Sequence, residues 1–181
     1  QNKLANYRDM LLAWQRQRVT TYCGYILGFP DDTPESIMAD IETIKRELPL
    51  DILEFFCLTP LPGSADHQAL FNQGAPLEPD LNRYDLEHVC TTHPRMTKAE
   101  WQQVYAQAWD SYYSLEHLET LMRRAATFDR NPKRIMEIAL EFYGCFRFER
   151  VHPLQGGFLR RKVGAGVVVA RLRTFFDSDQ P

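Results

Sequence analysis

The sequence predicts an α/β unit followed by a mostly α-helical region, and three observations carry that expectation. Residues 19–27 form an uncharged run rich in β-branched and aromatic side chains, closed by Gly28 and Pro30. Such a run suits a strand covered on both faces. A second apolar run, Ile52 to Leu58, follows after one amphipathic helical stretch. Beyond Thr97, apolar and aromatic residues recur at helical spacing.

The chain has 181 residues, 44% of them hydrophobic, and a formal net charge of -3. That is enough apolar material for one domain with a core. Its four cysteines, at 23, 57, 90 and 145, show no C-x-x-C spacing, so the sequence offers no metal or redox motif. Unpaired cysteines among apolar residues suit a reducing compartment, and the expected location is cytoplasmic. No apolar run approaches the roughly 20 residues of a membrane span, and no signal peptide is evident. The chain opens at Gln1 on what reads as the middle of a fold, so a piece of a longer protein is expected.

Taken in order, residues 2–18 read as a helix, with Leu4, Tyr7, Leu11 and Trp14 on one face. The first strand follows, near 19–28. Thr33 is a good N-cap, and Pro34 fits the first helical position, where the missing N–H has no intrahelical partner to lose. Ile37, Ile41, Ile44 and Leu48 make the buried stripe of that helix, and Pro49 stops it. The second strand lies near 51–59. Strand, helix and strand over roughly 35 residues is a parallel unit with a right-handed crossover. Glu54 is the one charge in the second strand and shares a face with Phe56 and Leu58. It is either a solvated or paired carboxylate near the strand entrance, or a polar group near substrate.

A short helix is expected at Ala65–Asn72, then a loop-rich stretch over 76–96. His88 and His93 lack helical i, i+4 spacing and are separated from each other by few residues, so surface or hydrogen-bonded histidines are expected there. Thr97 and Glu100 form a capping box that opens a long helix. Trp101, Val104, Tyr105, Ala108, Tyr112, Leu115, Leu118 and Met122 keep helical spacing and read as core, with a bend where Ser114 restarts the helix. Asn131–Pro132 starts a third helix, with Ile135, Ile138 and Phe142 on one face and Gly144 as its stop. The remainder, 146–181, is a basic, aromatic tail expected to be poorly ordered after Lys162. Its basic residues could meet RNA, but the slightly acidic chain favours a solvated surface, so a nucleic-acid partner is not expected.

Gly24, Ile26, Gly28 and Asp31 resemble the fifth-strand G-x-I-x-G-x-x-E motif of radical S-adenosylmethionine (SAM) enzymes, with Asp for Glu. The continuation Phe29-Pro30-Asp31-Asp32-Thr33-Pro34-Glu35-Ser36 is similar to a run common in members with a cobalamin-binding domain. Thr59-Pro60-Leu61-Pro62-Gly63-Ser64 resembles the exit of the sixth strand. The resemblance covers the first third of the chain. It implies the C-terminal part of a partial (β/α)6 TIM-type barrel over 1–75, a connecting loop at 76–96, and a helical extension over 97–145. It also implies partners: the missing N-terminal barrel strands of the same protein and a small-molecule substrate.

By the same resemblance, Gly24, Ile26, Gly28, Phe29, Pro30, Asp31, Thr59, Pro60, Leu61 and Pro62 contact the adenine of S-adenosylmethionine. Glycines permit close approach, and apolar side chains can pack on a flat ring. The alternative is that both glycines serve packing and turn geometry, and that Asp31 supports the next helix N-terminus. The family's 4Fe-4S cluster needs a C-x3-C-x2-C motif that this sequence lacks. Its ligands are therefore expected outside this chain, as is any cobalamin site, and the chain alone is not expected to be active. Two other functions compete: a non-catalytic interaction module and an RNA-modifying radical SAM enzyme.

Overall fold

The structure, a computed structural model, describes residues 4–154. The basic segment Arg160–Lys162, the glycine run at 164–166 and the order expected of the tail lie outside the described residues. The chain divides into two compact units, residues 1–139 and 140–181.

The first unit begins with α1 (Leu4–Arg16), β1 (Tyr22–Leu27), α2 (Pro34–Glu47) and β2 (Ile52–Cys57). The strands are parallel, with Tyr22 opposite Ile52, Gly24 opposite Glu54 and Leu27 opposite Cys57. The fold is α/β, mostly helical, with a two-stranded parallel sheet among the described residues. Thr33 caps α2 through a box with Ser36, and Pro34 sits in the first turn. Ile37 and Ile41 are fully buried beneath it. Next come α3 (Ala65–Asn72), α4 (Lys98–Tyr112), α5 (Leu115–Thr127) and α6 (Pro132–Gly144). Thr97 and Glu100 form the expected box at α4, and Ser114 caps α5.

One face of the sheet carries Cys23, Tyr25 and Leu27 beside Leu53, Phe55 and Cys57. Here the core is aromatic. Phe55 meets Trp109 at 5.3 Å and Tyr112 at 6.3 Å, both edge to face. Thus the tyrosine and tryptophan stripe of α4 is plain core, as its spacing predicts. The other face carries Tyr22, Gly24, Ile26, Ile52, Glu54 and Phe56.

The two edges of the sheet differ. Alternate residues of a strand direct their main-chain groups to one edge. The N–H of Ile52 bonds Thr21 O and that of Leu58 bonds Leu27 O, so Leu53 and Cys57 face away from β1. That outer edge is occupied. The Tyr113 hydroxyl donates to Leu53 O at 2.9 Å and accepts from its N–H at 3.4 Å. Cys57 N–H donates to Leu86 O at 2.7 Å. On β1 the main chain of Gly24 and Ile26 faces the opposite edge, and no further strand among the described residues pairs there.

Buried charge ties the helices to the strand starts. Asp51 and Arg130 are both buried; Arg130 Nη1 donates to Asp51 Oδ2 at 2.8 Å and to Val19 O at 2.7 Å. Asp51 Oδ2 also accepts from the Thr21 N–H and hydroxyl. Each charge thereby gains an opposite partner in its buried place, while Arg130 Nε is left without a hydrogen-bond acceptor.

Several expectations need correction. The first strand starts at Tyr22, not near 19, and it is not covered on both faces: Tyr22 and Ile26 are about half exposed. The second strand ends at Cys57. In α1, Leu11 and Gln15 are buried, whereas Leu4, Tyr7 and Trp14 of the supposed inner stripe are exposed. Periodicity finds a face, but the neighbouring elements decide whether it is covered. Leu115 stands at 86% exposure, because it is the first residue after the Ser114 cap and leaves the helix on its outer side. Gly144 does not stop the third helix: it is right-handed, and the chain winds on as a π-helical turn over Cys145–Glu149 before Arg150 turns left-handed at φ 56.

Candidate functional site

The two strands end side by side, because they are parallel and in register. β1 leads into the turn Gly28–Asp32 and β2 into Thr59–Pro62. The Leu58 N–H to Leu27 O bond ties the exits together at 2.8 Å. Sequence reading placed ten site residues at or near these exits, and the structure gathers eight of them there: Gly28, Phe29, Pro30, Asp31, Thr59, Pro60, Leu61 and Pro62. Gly24 and Ile26 lie further back, within β1.

The turn after β1 is tightly held. Gly28 has φ +102, a conformation that favours glycine, and a Cβ there would collide with the buried Trp101 indole. Gly28 therefore serves turn geometry and packing. Asp32 Oδ2 accepts from the Gly28 and Phe29 N–H groups, each at 2.8 Å. The Asp32 N–H closes the turn on Phe29 O, also at 2.8 Å. From the loop before α4, His93 Nε2 donates to Phe29 O at 2.8 Å. Arg95 Nη1 donates to Asp31 O at 3.0 Å, and its Nη2 reaches Asp31 Oδ1 at 3.2 Å.

These bonds use much of the polar main chain at the first exit. Outward it presents the exposed Asp31 carboxylate and two apolar side chains: Phe29 and, across the exits, Leu61 are each about half exposed. Thr59 Oγ1 turns back to Cys57 O at 2.9 Å. Within the sheet, a Cβ on Gly24 would lie 2.7 Å from Phe56 Cε2, so the Phe56 ring leans over that position. Gly24 makes room for a side chain of the protein itself.

Glu54 sits on the same face as Gly24 and Phe56 and is fully buried. Its Oε2 accepts from the Tyr22 hydroxyl, while Oε1 has no hydrogen-bond partner. Burial pushes its carboxyl up to about 7. It is neither solvated nor paired with an Arg among the described residues.

Three other groupings could hold a ligand. Asp85, Glu87 and His88 place their ligating atoms within 4.8 Å of one another. Asp85 there accepts from the Glu87 and His88 N–H groups and meets His88 Nδ1 at 2.7 Å, which accounts for the cluster as a side-chain-closed turn. A polar cleft of about 340 Å3 lies between α2 and α5, lined by Lys45, Arg46, His117 and Arg124 among others. Burial, then Lys45 and Arg124, hold His117 down to about 4, so it is neutral there at ordinary pH. Cys57 and Cys90 are buried thiols that donate to carbonyls, Cys57 to Glu87 O and Cys90 to Arg83 O. Burial pushes Cys57 well up and Cys90 to about 11, so both are protonated thiols here.

Sequence reading missed Asp32, Arg95 and Trp101 as parts of the exit. The signal for Asp32 was available: an Asp shortly after Gly-x-Pro is a turn-closing residue. Nothing in the sequence placed Arg95 or Trp101 against a turn some 65 residues earlier.

No protein-family model, curated protein or solved structure matches the chain. No helix among the described residues is long and apolar enough to cross a membrane.

Proposed function

We propose that the chain is the C-terminal part of a radical SAM enzyme of the cobalamin-linked kind, working in the cytoplasm, and that it contributes the adenine side of the SAM site. One observation supports this above the others. The two motif-bearing exits, far apart in sequence, lie side by side at the C-terminal ends of adjacent parallel strands. Ligands of parallel α/β sheets bind at that end. Antiparallel or separated strands would have removed the reading.

Phe29 and Leu61 fit a flat ring, since both offer exposed apolar surface at the exits. The first exit fits less well as a reader of ring edges, because its N–H and C=O groups are largely engaged. Edge contacts fall instead to the second exit, around Thr59–Pro62. The C-x3-C-x2-C spacing that holds the cluster is absent from this sequence, so its ligands are assigned to preceding strands of a longer protein, as is any cobalamin site. When bound, the cluster and SAM would supply a 5′-deoxyadenosyl radical that takes hydrogen from a small-molecule substrate. The asymmetric sheet supports such preceding strands: the β2 edge is occupied, while Gly24 and Ile26 direct main chain to an edge without a strand partner among the described residues.

A second reading is favoured by α1, whose exposed Leu4, Tyr7, Met10 and Trp14 would suit an interaction module. One experiment separates the two. The longer protein, reconstituted anaerobically with iron and sulfide, should cleave SAM to 5′-deoxyadenosine under reduction. A cluster-loaded protein that neither binds nor cleaves SAM would leave the interaction module.

A further inference from the structure

We infer that His93 and Arg95 are positioning residues for the nucleoside-facing turn, acting as a strap from the connecting loop. This rests on the SAM reading above. Both residues lie in the connecting loop at 76–96, and their side chains reach the turn after β1.

The strap grips the turn at two residues, Phe29 and Asp31. His93 donates through Nε2 to Phe29 O at 2.8 Å. Its Nδ1 accepts from the Arg95 N–H at 3.0 Å, so the imidazole is a neutral ring with its proton on Nε2, bridging turn and loop. Arg95 then closes on Asp31 through both its carbonyl and its carboxylate, at 3.0 and 3.2 Å. The His93 ring meets Trp101 edge to face at 5.1 Å, and Trp101 fills the place where a Gly28 side chain would stand. Asp32 secures the N–H groups of the same turn from its own side.

The consequence is directional. Phe29 carries a half-exposed ring, while its carbonyl is fixed by His93 and its N–H by Asp32. Main chain held at both polar groups leaves the side chain with few headings. The strap thus sets where the apolar face of Phe29 points without touching a nucleoside itself. Preorganisation of this kind raises affinity by removing the cost of ordering the turn on binding.

The test uses the longer protein with its cluster reconstituted, and SAM as probe. His93→Ala and Arg95→Ala should each weaken SAM binding about tenfold, the effect of one lost well-formed hydrogen bond. His93→Gln, which keeps an N–H donor on a side chain of similar reach, should restore most of the loss. Hydrogen exchange on the 181-residue chain should show faster exchange at the Gly28 and Phe29 amides in the Ala variants, with the melting temperature little changed. SAM binding unchanged in folded His93→Ala and Arg95→Ala would overturn the strap while leaving the SAM reading standing. Equal weakening in His93→Gln and His93→Ala would also overturn it. If one Ala variant fails to fold, SAM binding and hydrogen exchange of the other decide. Wild-type protein that carries its cluster and does not bind SAM removes the functional reading, and the strap with it.

Discussion

At the scale of single residues, the two glycines of the first motif do different work. Gly28 needs its left-handed φ and has an indole where a side chain would go. Gly24 has ordinary backbone angles and faces only the far end of a Phe56 ring, which can swing away. Gly28→Ala should therefore destabilise the fold by about 3 kcal/mol, from backbone strain together with overpacking. Gly24→Ala should cost well under half as much. Urea denaturation of the two variants beside wild type decides it, and equal losses would refute the distinction.

Glu54 gives a second residue-scale prediction. Its carboxyl is raised by burial, from the ordinary 4.5 to about 7 in the folded chain. A group raised on folding favours the fold most when protonated in both states. Its contribution is thus fully present below the unfolded value and is lost as pH rises toward about 7. Glu54→Gln keeps a neutral, hydrogen-bonding side chain. It should flatten the decline in stability across that window, read as melting temperature against pH. An unchanged slope would show that Glu54 is not buried as a neutral acid.

At the scale of elements, the periodic pattern of each helix located its face but not always its partner. Ile37 and Ile41 of α2 and the aromatic row of α4 are buried as their spacing implies. The row of α1 is not: Leu11 and Gln15 are buried, whereas Leu4, Tyr7 and Trp14 are exposed. Caps were legible because their chemistry is local: Thr33, Thr97 with Glu100, and Ser114; the partner of Thr33, Ser36, came only with the structure. The link from the helices to the strand starts was not legible, because Arg130 and Asp51 lie 79 residues apart. Removing Arg130 strands a buried carboxylate. Arg130→Ala should cost about 3–5 kcal/mol in chemical denaturation. Asp51→Asn combined with Arg130→Met should recover a large part of that, because no unpaired charge then remains.

At the scale of the whole molecule, the sequence by itself settled a good deal. It placed two strands, the helix between them and the capped helices after residue 97, because alternation, helical spacing and capping are read between near neighbours. It also marked the two strand exits as worth comparing, through glycine and proline at the strand ends. Tertiary structure decided what those exits are made of. Trp101, His93 and Arg95 arrive from another part of the chain to occupy and hold the first turn. It likewise decided that one sheet edge is taken by Tyr113 and Leu86 while the other has no strand partner among the described residues, and that Glu54 is buried beside Tyr22. The physical reason is range. Backbone propensity acts over a few residues, whereas side-chain burial and hydrogen-bond pairing depend on which distant segments the fold brings within a few ångströms.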